Sequence, residues 1–97
     1  MITTQQIGKC GELLVQLRLL INGFESAQMT TDSGVDLVAY SPRRKRAVSI
    51  QVKTNLRPKP AGGKGRASLG WWILERTPAD VVALVDLASF RIWLLRM

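Results

Sequence analysis

The chain has 97 residues, 46% apolar and 22% charged, and is predicted to fold as one small domain over residues 1–97. It contains no histidine and one cysteine, Cys10, which excludes catalytic triads, imidazole bases, an internal disulfide and multi-cysteine zinc sites. Fourteen Lys and Arg against seven Asp and Glu give a net charge of +7, and nine of the basic residues fall between Arg43 and Arg66 with no acid among them. So local a positive field points to a polyanionic partner, with nucleic acid as the first reading. No apolar run approaches the ~20 residues that span a bilayer. The start, MITTQQ, lacks the charged and apolar regions of a signal peptide, so no membrane association and a cytoplasmic location are expected.

Ile7, Cys10, Leu14, Leu17 and Ile21 recur at 3-4-3-4 spacing and predict a helix over residues 4–22. Thr3 or Thr4 caps its start, Asn22-Gly23 stops it, and Cys10 is expected to be buried in the stripe. Glu12 lies opposite that stripe beside Val15 and Leu19, so the helix is expected to be covered on more than one side. The period then changes to two. Phe24–Met29 reads as a strand, followed by a turn over Thr30–Gly34 in which Asp32 serves turn chemistry. Val35–Tyr40 is a second strand, with Val35, Leu37 and Ala39 on one face and Asp36, Val38 and Tyr40 on the other. Ser41-Pro42 and Arg43–Arg46 form a hairpin-like connection into a third strand, Ala47–Thr54. There Val48, Ile50 and Val52 alternate with Ser49, Gln51 and Lys53. Residues 55–70 hold two Pro and four Gly and read as a mobile basic loop. Trp71–Leu74 is apolar without a clear period. Residues 80–87 and 90–95 read as a closing hairpin turning near Ala88-Ser89. The order predicts an α+β domain: an N-terminal helix, a three-stranded meander and two further strands in a mixed sheet.

Residues at i and i+2 of a strand project side by side, so Gln51 and Lys53 share a face, and the neighbouring strand brings Asp36 toward them. A carboxylate, an amide oxygen and the Val52 carbonyl, if the strands diverge there, offer hard oxygen ligands for Mg²⁺ or Mn²⁺. The lysine is placed to orient an attacking water or to stabilise charge on a phosphorane. Ser49 shares this face and is expected to bond its neighbouring strand.

Gly11-Glu12, Gly34-Val35-Asp36-Leu37-Val38-Ala39-Tyr40 and Ile50-Gln51-Val52-Lys53-Thr54 together resemble the PD-(D/E)XK nuclease superfamily. Within it the chain is similar to small Holliday-junction-resolvase-like and restriction-endonuclease-like members. The likeness covers residues 8–54 well and residues 80–95 more loosely. It implies a restriction-endonuclease-like core and a metal-dependent DNA endonuclease, with branched DNA among its candidate substrates. Glu12 would be the assisting acid of the first helix and Asp36 the main metal ligand. Gln51 would stand where the motif carries Glu or Asp, and Lys53 would be the catalytic lysine. A Gln in place of an acid removes one negative charge and implies weaker metal binding.

The basic residues expected to meet the nucleic-acid backbone are Lys9, Arg43, Arg44, Lys45, Arg46, Arg57, Lys59, Lys64 and Arg66. Trp71 and Trp72 could stack on an unpaired base, although packing is the simpler reading. The apolar final strand has no helix after it to cover it, which predicts a homodimer. Two other readings stay open on the sequence: a catalytically silent module of the same fold that binds nucleic acid or a partner protein, and a structural dimer whose patch meets an acidic protein.

Overall fold

The computed structural model describes residues 1–31, 33–56, 59–61, 66–68 and 77–97, with backbone alone considered for 59–61 and 66–68. Helix α1 runs Thr4–Ile21. Thr3 caps it through a reciprocal pair: its hydroxyl accepts from the Gln6 N–H at 3.1 Å, and its own N–H donates to Gln6 Oε1 at 2.8 Å. Such a box satisfies two otherwise unpaired donors and contributes about 1 kcal/mol. At the other end Gly23 adopts φ +88°, a left-handed conformation open to glycine, and the Phe24 N–H returns to the Leu19 carbonyl at 2.9 Å.

Seven strands follow among the described residues: β1 Glu25–Gln28, β2 Leu37–Ser41, β3 Arg46–Asn55, β4 Lys59–Ala61, β5 Arg66–Ser68, β6 Val81–Asp86 and β7 Arg91–Arg96. The main sheet has the order β1-β2-β3-β6-β7, antiparallel throughout except for the parallel pair β3–β6. A parallel pair cannot be joined by a tight turn, and residues 56–80 carry the connection. The register sets Leu37 against Ile50, Ile50 against Val81 and Val52 against Ala83, so one sheet face carries a continuous apolar row. Helix α1 lies on it, and Val15, Leu37, Ala39, Ile50, Ala83 and Val85 form the core. Leu37 and Val85 are fully buried, each contributing about 1.5–3 kcal/mol over exposure.

The meander and the closing hairpin match the alternation of the sequence, with strand ends shifted by one or two residues. Three readings need correction. The face of α1 that meets the sheet is centred on Gly11 and Val15 and not on the 3-4-3-4 stripe, of which Leu14 packs against the core while Leu17 is 52% and Ile21 70% exposed. Cys10, expected to be buried, is exposed. The predicted loop over 55–70 contains a small hairpin, β4 paired with β5, with Lys59 opposite Ser68. Glycine explains the first error. A Cβ on Gly11 would run into the Thr54 side chain of β3, so the residue that packs closest contributes no hydrophobic signal to read. Asp32 and Trp71–Leu74 lie outside the described residues.

Where β6 begins, Asp80 Oδ2 accepts from the Ser49 N–H at 3.0 Å and from its hydroxyl at 3.1 Å, as expected of a strand hydroxyl bonded to its neighbour. The Ser49 backbone N–H, and secondly its hydroxyl, hold the Asp80 carboxyl below its ordinary 3.8, against a small opposing effect of burial. A depressed folded pKa stabilises the fold above the unfolded value, and that contribution is lost as the pH falls through the folded one. Melting temperatures of the wild type and Asp80→Asn should therefore differ near neutrality and converge in acid. Parallel curves down to low pH would contradict this clasp.

Candidate functional site

The strand β3 outlasts its partner. β2 begins only at Leu37, opposite Ile50, while β3 continues to Asn55. Extending the register would set Val52 against Val35 and Asp36 against Gln51. Instead, the Val52 N–H is taken by the side chain of Asp36, whose Oδ2 accepts it at 2.7 Å. The Asp36 backbone stays anchored on both sides: its N–H donates to the Ile50 carbonyl and its carbonyl accepts from Met29, both at 2.9 Å. The carboxylate is thus fixed at the edge of β3. Its second oxygen has no hydrogen-bond partner among the described residues. A residue's N–H and C=O point to the same neighbour in a ladder, so the Val52 carbonyl faces this same gap.

Gln51 and Lys53 lie on the opposite face of β3 from Ile50, as their alternation requires, and both are half-buried. Gln51 Oε1 accepts from the Thr77 hydroxyl at 2.8 Å, and Thr77 Oγ1 accepts from the Ala79 N–H at 3.2 Å. The Thr77 hydroxyl thus links the Gln51 side chain to the chain entering β6. Lys53 has no carboxylate or hydrogen-bond partner among the described residues. Thr77 is the residue that sequence reasoning missed: a threonine 26 positions away has no local signal tying it to Gln51.

Glu12 of α1 lies in an ion pair. Its carboxylate meets Lys9 Nζ at 3.2 Å, and Lys9 also donates to Gln28 Oε1 at 2.8 Å. Gln28 continues to Gln16 at 2.9 Å and Gln16 to Ser26 at 3.0 Å, a polar seam that ties α1 to β1. No hydrogen bond joins Glu12 to Asp36, Gln51 or Lys53 among the described residues. Lys9, expected on the nucleic-acid backbone, is engaged in this seam.

The basic run Arg43–Arg46 is exposed on the β2–β3 turn. Ser41 shapes that turn: its carbonyl accepts from the Lys45 N–H at 2.7 Å and its hydroxyl from the Arg44 N–H at 3.2 Å, with Lys45 at φ +55°. Arg46 is five residues from Gln51 along β3, about 17 Å at strand rise. The turn is therefore set well apart from Asp36. Lys59 and Arg66 belong to β4 and β5, which follow β3 directly, whereas Arg57 and Lys64 lie outside the described residues.

The donor set can be tested against a divalent cation. Among the described residues no three Asp, Glu, His or Cys side chains come together as a metal cage. What β3 offers is one carboxylate with a spare oxygen, one amide oxygen with a second lone pair, and one strand-edge carbonyl. A small hard cation that keeps several waters and takes phosphate oxygens needs no more protein ligands than these. The residues present fit Mg²⁺ or Mn²⁺ and do not fit zinc.

No family model and no curated protein matches the chain. Among solved structures it is similar to a bacterial homing endonuclease, I-Ssp6803I, with a TM-score of 0.74 and 15% identity. The match covers 99% of this chain and 67% of that one. The chain thus has a nuclease-like fold, one N-terminal helix on a five-stranded mixed sheet.

Proposed function

We propose that the chain is a metal-dependent DNA endonuclease of PD-(D/E)XK type, hydrolysing phosphodiester bonds at the edge of β3. The observation that carries this reading is the Asp36 carboxylate seated on the Val52 N–H, where β2 leaves β3, at the residue that Gln51 and Lys53 flank in sequence. The nuclease-like fold supports it.

In this reading Asp36, Gln51 and the Val52 carbonyl hold Mg²⁺ or Mn²⁺. The bound cation supplies Lewis acidity toward the phosphate and lowers the pKa of water. Asp36 is oriented by the Val52 N–H, and Thr77 holds the Gln51 side chain in place. Lys53 Nζ orients the attacking water or donates to a non-bridging phosphate oxygen, offsetting the charge that develops as the water oxygen bonds to phosphorus. That water gives its proton to solvent, while the opposite P–O bond breaks and its oxygen takes up a proton from solvent to leave as the alcohol of the cut strand. Glu12 supports this edge of the sheet through Lys9 and Gln28. The exposed Arg43–Arg46 turn holds flanking phosphates some five base pairs from the cut, and Lys59 and Arg66 hold others.

The test is incubation with supercoiled and four-way-junction DNA in Mg²⁺ or Mn²⁺. Cleavage that chelation abolishes supports the reading; binding without cleavage under every condition overturns it. That second outcome would favour a silent nucleic-acid-binding module, a reading that rests on the neutral Gln51 and its engagement by Thr77. Because cation affinity follows ligand charge, Gln51→Glu should lower the metal concentration for half-maximal cleavage on the order of tenfold. An unchanged metal dependence would remove Gln51 from the ligand set.

A further inference from the structure

The sheet covers only one side of α1. At 100° per residue, Gly11, Val15 and Leu19 point toward the sheet, while Gln6, Cys10, Leu13, Leu17, Leu20 and Ile21 occupy the opposite arc. That arc holds no charged residue. Leu13 and Leu17 are each 52% exposed, Leu20 62% and Ile21 70%. Beside it stands Phe90, 59% exposed in the β6–β7 turn at φ +56°, with its carbonyl held by Arg18 at 2.7 Å. Phe90 and Leu87 close a shallow hollow of about 360 Å³ with Cys10, Leu13, Leu14 and Leu17. Lys9, Glu12 and Gln16 give α1 one polar arc, and this second apolar arc lies beyond it. No helix among the described residues is long and apolar enough to cross a membrane.

We propose that this face is covered by α1 of a second copy of the chain, in a twofold-symmetric dimer. Three observations choose that occupant. Rows of apolar side chains at 3-4-3-4 spacing are the seam along which helices pack on helices, and such a row meets its own symmetry mate without change. The face is neutral in a chain of net charge +7, so two copies join here without opposing their basic segments, and a charged partner finds nothing to pair with. Leu13, Leu17, Leu20, Ile21 and Phe90 together offer on the order of 500 Å² per copy, or about 1,000 Å² for the pair, which reaches the lower bound of specific interfaces. The homodimer read from the sequence is thus assigned to the helix and not to the final strand.

Cys10, the single thiol of the chain, sits within this arc and reports on it directly. The wild type should sediment as a dimer, with Cys10 alkylated at least tenfold more slowly than in an unfolded control. Leu17→Glu should sediment as a monomer with an unchanged far-ultraviolet spectrum and a fast-reacting thiol. Leu94→Glu, on the edge strand, should leave the dimer intact. A monomeric wild type with a freely reactive thiol overturns the proposal, and so does a dimer that survives Leu17→Glu or is lost in Leu94→Glu. If Leu17→Glu fails to fold, the thiol protection of the wild type still decides the matter. None of these readouts depends on DNA cleavage, so the dimer and the nuclease reading stand or fall separately.

Discussion

Lys53→Ala is expected to reduce metal-dependent DNA cleavage by about 10²–10³-fold, the usual loss when one preorganised donor to a developing oxyanion is removed. Binding of uncleaved DNA should change only a few-fold, because one cation among nine in the 43–66 segment contributes little of the phosphate attraction. The fold should hold as well. Lys53 is half-buried, has no partner among the described residues, and sits in a strand whose pairing with Leu84 runs through the backbone. Cleavage of plasmid DNA and a binding isotherm in Ca²⁺ separate the two effects. A variant that cuts at the wild-type rate would move the chemistry away from β3.

Gly11→Ala is expected to destabilise the fold by about 1–3 kcal/mol, despite the gain of roughly 1 kcal/mol that alanine brings to an exposed helix interior. The added methyl would fall on the Thr54 side chain, in contact with its Cβ as well as its branches, so no rotamer of Thr54 clears the space. Gly8, one turn earlier, has open space where its Cβ would be, and Gly8→Ala should stabilise by up to about 1 kcal/mol. For a domain of this size each kcal/mol moves the melting temperature by about 4–8 °C, so the two variants should diverge clearly in calorimetry. Thr54→Ala should restore part of the loss in Gly11→Ala. Equal melting temperatures for the two glycine variants would mean that α1 does not approach β3 as closely as described. The consequence reaches the site, because the same close crossing sets Glu12 and Lys9 against Gln28 of β1.

What the sequence reveals here follows from which physical signals are local. Strict alternation in Val48–Lys53 specifies both the strand and its two faces, so the placement of Gln51 and Lys53 together, opposite Ile50, is legible without a structure. Asp36 is legible only by parity. Its hydrogen bond to Val52 depends on β2 stopping one residue short, which no pattern encodes. Helix α1 has two apolar arcs, and the larger side chains lie on the one that the sheet does not take. The arc that packs is built around Gly11, where the absence of a side chain is the feature that matters. Strands β4 and β5 are three residues each, too short to show a period among their Gly and Pro neighbours. Thr77 and Asp80 act across 26 and 31 residues of sequence, on Gln51 and Ser49, and such pairings become visible only once β6 lies parallel to β3.

Mn²⁺ binding followed by electron paramagnetic resonance tests, without recourse to cleavage, the proposal that Asp36 seats a divalent cation at the edge of β3. Asn at position 36 keeps an oxygen for the Val52 N–H and removes only the charge, so the fold should persist. One bound Mn²⁺ per chain is expected in the wild type, weakened at least tenfold in Asp36→Asn. Equal Mn²⁺ binding by the two proteins, or none by the folded wild type in the presence of DNA, would contradict it.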